Sequence, residues 1–273
     1  MDLSKTVLII GAGAHYDYKM PLGLCLRDSI RRTTNTRPIS KHVGRKEILR
    51  WLNGNGNTDI IQWAVLAQFK SSQTEHLWDQ NNLLTKIPED IAAFTDLFAR
   101  SQADSIDKFL TLKDKDLSET QKYIGKALIT HYIYSAECNA LNYRNLEHNW
   151  IQDFINLLVI NRSADFKENH PYIFTFNYDC LLEHMLVEHL FATTGMGKLD
   201  CIKYVDELNI HHIYGSLNSH KYEDPLDVYR NLDNISVIGG DRESSRDKIQ
   251  RKLLASLKQC RIVYFLGFRF WVR

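Results

Sequence analysis

Five short runs of β-branched and aromatic residues, each ending near a glycine or a polar residue, constrain the fold of this chain most. Runs of this length and composition are typical of buried strands. Segments with apolar residues at helical spacing separate the runs, and strands that alternate with helices predict a parallel sheet. The predicted strands are residues 6–10, 172–176, 210–214, 235–238 and 261–266.

The region between the first two strands has a different texture, because its apolar residues recur at helical spacing. The stripes are Ile91, Phe94, Leu97 and Phe98, then Trp150, Phe154, Leu157 and Leu158. Ser105 or Asp104 is a predicted cap for one helix start. Later helices are predicted at residues 179–191 and 244–257, the second with a stripe of Ile249, Leu253, Leu254 and Leu257. We therefore predict an α/β fold in one domain, residues 1–273: a Rossmann-like parallel sheet with a helical insertion at about 25–168.

Composition narrows the class of protein. The chain has 34 Lys and Arg against 33 Asp and Glu, a net charge of +1, so no direct nucleic-acid binding is indicated. Its five cysteines are scattered and never spaced as C-x-x-C, which predicts reduced thiols and neither a disulfide framework nor a zinc module. No apolar run is long enough for a signal peptide or a membrane span. We expect a cytoplasmic protein without a membrane partner or a bound metal.

The first strand leads directly into Gly11, Ala12, Gly13 and Ala14. Small residues after a strand allow backbone amides to approach a phosphate at the start of a helix. A dehydrogenase fingerprint would need a third small residue where Tyr16 stands and an acid about 20 residues later, and this chain has neither. A tight turn without a ligand is the structural alternative.

The second strand ends in Asn177 and Asp179. Open parallel sheets place ligands at this edge, where an amide can both donate and accept. We assign Asp179 to capping the next helix and Asn177 to the chemistry, although a polar turn residue is an equal alternative. His184 and Glu188, one turn apart on that helix, are predicted to lie on a solvated face rather than in a metal site.

The third strand delivers His211, His212, Tyr214, Gly215 and Ser216 to the same edge. The period of two predicts His212 and Tyr214 on one face and His211 on the other. A histidine can accept a proton near neutral pH, although a hydrogen-bonded structural role is the better bet for either one alone. The last strand again ends in a glycine, Gly267, which we expect to close the pocket.

In this order the patches GAGA, SIDKFL, TFNYD, HIYGSLN and LGFRF resemble the sirtuin-like domains of bacterial antiphage defence proteins. The resemblance covers almost the whole chain in patches. It implies hydrolysis of NAD+ to nicotinamide and ADP-ribose, which depletes NAD+ in an infected cell. It also implies homo-oligomers or an activating partner protein.

The resemblance assigns residues to roles. Gly11, Ala12 and Gly13 would cradle the diphosphate, Asn177 would bind the nicotinamide ribose or the attacking water, and Gly215 and Ser216 would line the pocket. Asp179, Tyr214, Ala14 and Gly267 complete the expected binding residues.

Three departures from the family pattern affect these roles. His15 stands where sirtuins have Ser, and Tyr214 stands where their catalytic His precedes the glycine. We assign the base to His212, with His211 as the alternative. The chain also stops soon after Gly267, which leaves a C-terminal truncation open.

Other functions stay open at this stage. A protein deacylase is disfavoured, because the scattered cysteines cannot build the zinc module of those enzymes. A non-catalytic sensor of NAD+ or ADP-ribose and an inactive assembly domain remain alternatives. Sequence alone also does not separate hydrolysis from cyclisation or transfer.

Overall fold

The structure, a computed structural model, describes residues 3–33, 57–71, 80–142, 149–160, 170–236 and 243–268. The chain divides into two compact units. The first comprises Met1–Met20, Ala136–Lys221 and Arg242–Arg273, and the second comprises Pro21–Ser135 and Tyr222–Asp241. The first segment of the second unit, Pro21–Ser135, begins close to the predicted start of the insertion and stops before its predicted end at about 168. The second unit also includes the later segment Tyr222–Asp241.

The first unit contains a four-stranded, all-parallel sheet. Its strands are β1 (Thr6–Ile10), β2 (Tyr172–Thr175), β3 (Ile210–His212) and β4 (Ile262–Leu266), in the order β3-β2-β1-β4. The predicted α/β class with a parallel sheet is confirmed, and this strand order is compatible with a Rossmann-like fold. Of the predicted strand 235–238, Ile235 forms only an isolated bridge, and Val237 and Ile238 lie outside the described residues.

Helices make up most of the rest of the described chain. They are α1 (Gly23–Arg31), α2 (Asn57–Ser71), α3 (Gln80–Arg100), α4 (Ile106–Leu112), α5 (Glu119–Ala140), α6 (Trp150–Ile160), α7 (Leu181–Thr194), α8 (Lys198–Asp206), α9 (Pro225–Arg230) and α10 (Glu243–Gln259). The predicted cap of α4 is confirmed, because Ser105 Oγ accepts a hydrogen bond from the Lys108 amide at 3.1 Å.

The two faces of the sheet carry different side chains because strand residues alternate. Val7, Ile9 and Phe174 form one cluster, against which Ile249, Leu253 and Leu257 of α10 pack. The predicted stripe of α10 is correct for these three residues, whereas Leu254 is 59% exposed. The predicted stripe of α6 is also rotated, since Ile151 and Ile155 are buried beside Leu158 while Leu157 is 40% exposed.

The register brings the carboxyl ends of three strands to one level. Ile10 of β1 pairs with Thr175 of β2, and Thr175 pairs with His212 of β3. The residues that follow these strands therefore lie at one edge of the sheet, as predicted for the candidate site.

Candidate functional site

The centre of this edge is a buried His–Asp pair. His15 follows β1, Asp179 follows β2, and His15 Nδ1 lies 2.8 Å from Asp179 Oδ1. Asn177 lies against the same nitrogen, with its Nδ2 atom 3.2 Å from His15 Nδ1. All three side chains are at least nine-tenths buried. The sequence placed Asn177 and Asp179 here but identified His15 only as a departure from a family pattern.

Two polar atoms of this group lack the hydrogen bonds that buried polar atoms normally make. Neither His15 Nε2 nor Asn177 Oδ1 has a partner among the residues that the structure describes. Because Nδ1 donates its proton to the Asp179 carboxylate, neutral His15 carries its lone pair on Nε2. A ligand hydroxyl or a water would satisfy both atoms.

Neighbouring groups fix the orientation of this pair. The Trp150 ring stacks on His15 with centroids 5.9 Å apart, and Trp150 Nε1 donates to the Ala14 carbonyl at 2.6 Å. The main-chain N–H of Asn177 donates to Thr175 Oγ1 at 3.1 Å. Asp179 Oδ1 also accepts the N–H of Leu181, the first residue of α7, at 3.2 Å. The N-cap position itself is Cys180 and not Asp179 as predicted, and the Asp179 carboxylate bonds both His15 and the start of the helix.

The charge around His15 opposes the effect of its burial. Burial alone lowers the pKa of His15, because an imidazolium is poorly solvated inside a protein. The charge of Asp179 and its hydrogen bond, followed by the charges of Glu183 and Glu137, raise that pKa above its ordinary value. The pair therefore holds a proton more firmly than free histidine does.

Both ring nitrogens of His212, the predicted base, make hydrogen bonds within the protein. Its Nδ1 lies 2.8 Å from the main-chain oxygen of Asn177, and its Nε2 lies 2.6 Å from Glu183 Oε1. Both partners are acceptors, so both nitrogens carry protons and the ring has no lone pair to offer. This arrangement disfavours His212 as a proton acceptor and indicates that it supports the backbone of Asn177.

The pKa values of this pair agree with an ion pair. Burial alone lowers the pKa of His212, but Glu183 and the hydrogen bonds raise it above its ordinary value. Burial alone raises the pKa of Glu183, yet His212 lowers it to about 2. Glu183 was not singled out from the sequence, because a glutamate on a helix is ordinarily exposed.

His211 and Tyr214 lie away from this pair. His211 packs on Phe174 with ring centroids 5.2 Å apart, and burial, then the charge of Lys252, lowers its pKa to about 4. The expectation that Tyr214 shares the face of His212 is wrong. β3 ends at His212, and the Tyr214 ring packs edge-on against Phe176 at 5.6 Å within the cluster on the α10 side of the sheet.

A second buried carboxylate, Glu137, connects the loops behind the site. Glu137 Oε2 accepts the Cys180 N–H at 2.5 Å, and Glu137 Oε1 accepts the Ser219 hydroxyl and lies 3.2 Å from His184 Nε2. His184 is thus part of an internal network, whereas Glu188 is exposed and pairs with Lys198, as a solvated face predicts. No sequence pattern marks Glu137, which lies in a helix far along the chain from its partners.

Cys180, Glu183 and His212 place a thiol, a carboxylate and an imidazole within 4.8 Å of one another. These are ligand types that zinc accepts. However, both nitrogens of His212 already donate hydrogen bonds, and burial raises the pKa of the Cys180 thiol well above its usual value. In this arrangement Glu183 and His212 form an ion pair, and the neighbouring Cys180 thiol is protonated.

The glycine segment after β1 packs against the end of β4. The Gly11 N–H donates to the Leu266 carbonyl at 2.8 Å, and the Gly13 N–H donates to the Gly267 carbonyl at 3.1 Å. The expected helix start is absent here: Ala12–His15 forms a short 3-10 turn, and the next described helix, α1, begins only at Gly23. These two amides therefore bind β4 in this arrangement, where we had expected them to face a diphosphate.

Gly267 is required by this contact. Its φ is +72°, and a Cβ added there would lie 1.9 Å from the Ala14 nitrogen. A Cβ on Gly13 would lie 2.6 Å from the Gly267 carbonyl oxygen. The glycines after the first and last strands thus fit one another.

The turn after β3 is also well defined. Gly215 has a φ of +77°, and the buried Ser216 donates from its hydroxyl to Asn218 Oδ1 at 3.1 Å. The Leu217 N–H donates to the Tyr178 carbonyl at 2.9 Å, which ties this turn to the loop that carries Asn177.

Comparisons of this chain with protein-family models, curated proteins and solved structures give no match. Within the part of the chain that the structure describes, no helix has the length and apolar character needed to cross a membrane. The fold and the site therefore define the class of this protein: an α/β protein with a parallel sheet and a buried polar group at the carboxyl edge of its strands.

Proposed function

We propose that this protein is an NAD+ glycohydrolase that cleaves the bond between nicotinamide and ribose. The observation that carries the proposal is the group of His15, Asn177 and Asp179 at the carboxyl edge of β1 and β2. Two buried atoms of this group, His15 Nε2 and Asn177 Oδ1, have no partner within the described residues. A ribose diol or a water supplies the hydroxyl groups that such atoms need.

Cleavage of this bond does not require a general acid from the protein. The nicotinamide of NAD+ leaves as a neutral base, so the C1′–N bond can break through an oxocarbenium-like transition state without protonation of the leaving group. The protein must hold the ribose, exclude bulk water and place one water at C1′. A buried amide beside a buried imidazole meets these requirements.

Asn177 has the central role in this proposal. Its backbone is held by Thr175 Oγ1 and by His212, and its side chain contacts His15. Because His15 Nδ1 donates to Asp179, its contact with the Nδ2 atom of Asn177 is not a hydrogen bond, and the amide of Asn177 can orient the ribose hydroxyls or the attacking water. We place Gly215, Ser216 and Gly267 beside the same site, whereas Tyr214, which packs against Phe176 on the α10 side of the sheet, lies away from it.

The glycine segment cannot bind the diphosphate of NAD+ through the amides of Gly11 and Gly13 in this arrangement. Because Gly11 and Gly13 donate to β4 and the Ala14 N–H donates to the Gly11 carbonyl, we propose that the close packing on Gly267 brings Ala12 to the diphosphate, with only the methyl group of Ala14 beside it. The resemblance of the motifs to defence proteins supports NAD+ depletion in the cytoplasm as the purpose of the reaction, in homo-oligomers or with an activating partner.

Chromatography of NAD+, nicotinamide and ADP-ribose after incubation with the purified protein tests the proposal. We expect nicotinamide release by the wild type and a loss of about 10²-fold to 10⁴-fold in Asn177→Ala. Asn156→Ala, on an exposed position of α6, is the matched control and should keep full activity. Removal of the acetyl group from an acetylated peptide would instead support a deacylase. NAD+ binding without nicotinamide release would support a sensor.

A further inference from the structure

We infer that His15 is the proton acceptor of this reaction and that Asp179 is the residue that orients it. The inference rests on the proposed function, because it names the group that takes the proton from the attacking water. Neither residue had this role in the motif pattern, which places the base on the strand before Gly215.

The tautomer of His15 suits it to accept a proton. Its Nδ1 is 2.8 Å from Asp179 Oδ1, so the carboxylate holds the proton on Nδ1 and leaves the lone pair on Nε2. Nε2 is buried and has no partner in the described ranges of the chain. A general base needs a fixed ring with a defined lone pair, and an Nε2 atom without a protein partner leaves that lone pair for the water.

The other two histidines at this edge are unsuited to the role. His212 donates from both ring nitrogens, to the Asn177 carbonyl and to Glu183. His211 packs on Phe174 on the face that α10 covers, away from Asn177. Only His15, among the three, contacts the Asn177 side chain.

The proton and electron balance of the step is simple. The C1′–N bond breaks and its electron pair stays on the nicotinamide nitrogen, which becomes neutral. A water oxygen forms the new bond to C1′, and one proton of that water passes to His15 Nε2. His15 later releases this proton to solvent, so NAD+ and water give nicotinamide, ADP-ribose and one proton.

The charges around His15 give the inference a pH signature. The charged side chains that act on it are Asp179, Glu183 and Glu137, and its other neighbours are the rings of Tyr18 and Trp150 and the amide of Asn177. Against the lowering effect of burial, the three carboxylates raise the pKa of His15 above its ordinary value of 6.5, so activity should fall as the pH drops through that raised pKa. In Asp179→Asn the charge is lost while burial remains, so this acid limb should move to lower pH.

The test is the pH profile of nicotinamide release from NAD+ by the wild type, His15→Asn and Asp179→Asn. Asn at position 15 can keep the hydrogen bond to Asp179 but has no titratable nitrogen, which separates loss of the base from loss of structure. His220→Gln, in another buried His–Asp pair, is the matched control. We expect a loss of about 10²-fold to 10⁴-fold in His15→Asn, full activity in His220→Gln and the shifted acid limb in Asp179→Asn.

Any other outcome refutes either the role of His15 or the proposed function. An active wild type with His15→Asn within about threefold of it, or with an unmoved acid limb in Asp179→Asn, refutes the role of His15 and leaves the glycohydrolase proposal intact. A wild type that releases no nicotinamide refutes the proposed function, and the assignment of His15 falls with it. A melting temperature of His15→Asn near that of the wild type excludes unfolding as the cause of lost activity.

Discussion

Replacing Glu183 by Gln should destabilise the protein by about 3 kcal/mol at pH 7. Glu183 is buried and pairs with His212 at 2.6 Å, and this pairing lowers its pKa from 4.5 to about 2. At about 1.4 kcal/mol per pH unit, that displacement corresponds to about 3 kcal/mol of folding free energy. Gln keeps the shape and one acceptor oxygen, but it removes the negative charge that stabilises the imidazolium.

The pH dependence of this effect has a definite sign. The pKa of Glu183 is lower in the folded state than in the unfolded state, so its contribution is complete above about pH 4.5 and is lost as the pH falls towards 2. The difference between wild type and Glu183→Gln should therefore shrink from about 3 kcal/mol at pH 7 to less than about half of that at pH 3.

Urea unfolding followed by circular dichroism measures both values. Glu188→Gln is the matched control, because Glu188 lies on the same helix but is exposed and pairs with Lys198. It should change the unfolding free energy by less than about 0.5 kcal/mol. If Glu183→Gln also changes it by less than about 0.5 kcal/mol at pH 7, the buried ion pair is not present and the support that His212 gives to Asn177 is refuted.

Three further predictions concern other parts of the chain. Gly267→Ala should lower the melting temperature strongly, because its Cβ would meet the Ala14 nitrogen at 1.9 Å, whereas Gly195→Ala, with a φ of +73° and nothing within 4 Å, should cost only about 1 kcal/mol; equal losses would contradict the contact. Ser118 and Gln121 cap each other's amides at the start of α5, so Ser118→Ala should lose about 1 kcal/mol in thermal unfolding, and an unchanged midpoint would exclude the cap. Burial lowers the pKa of His131 to about 4, so His131 destabilises the fold progressively between about pH 6.5 and pH 4 as the unfolded state takes up the proton; calorimetry should show His131→Gln gaining stability relative to the wild type over this range, and parallel curves would refute this.

Much of the fold could be predicted because local patterns determine it. Four of the five apolar runs form strands whose ends differ from the predicted ones by at most two residues. The stripe of α6 shows the limit: Trp150 and Ile151 are both apolar, and only packing decides that the face with Ile151 and Ile155 is the buried one. Spacing alone cannot rank two overlapping apolar stripes.

The site could be located from the sequence but not assembled. Asn177 was marked by its place after a buried strand, which is a local signal. The pairing of His15 with Asp179 depends on the register of β1 and β2, which are far apart along the chain. The hydrogen bond from His212 Nε2 goes to Glu183, whose burial follows from the packing of α7 and has no local signature in the sequence. Histidine roles therefore changed once hydrogen-bond partners were known.

The most direct test of the account is nicotinamide release from NAD+ by the wild type beside Asn177→Ala and the exposed control Asn156→Ala. We expect the wild type and the control each to release nicotinamide and ADP-ribose in equal amounts, and Asn177→Ala to lose about 10²-fold or more of this activity. Nicotinamide release that is the same in all three proteins would contradict a site at Asn177. A folded wild type that leaves NAD+ intact would contradict the proposed reaction itself.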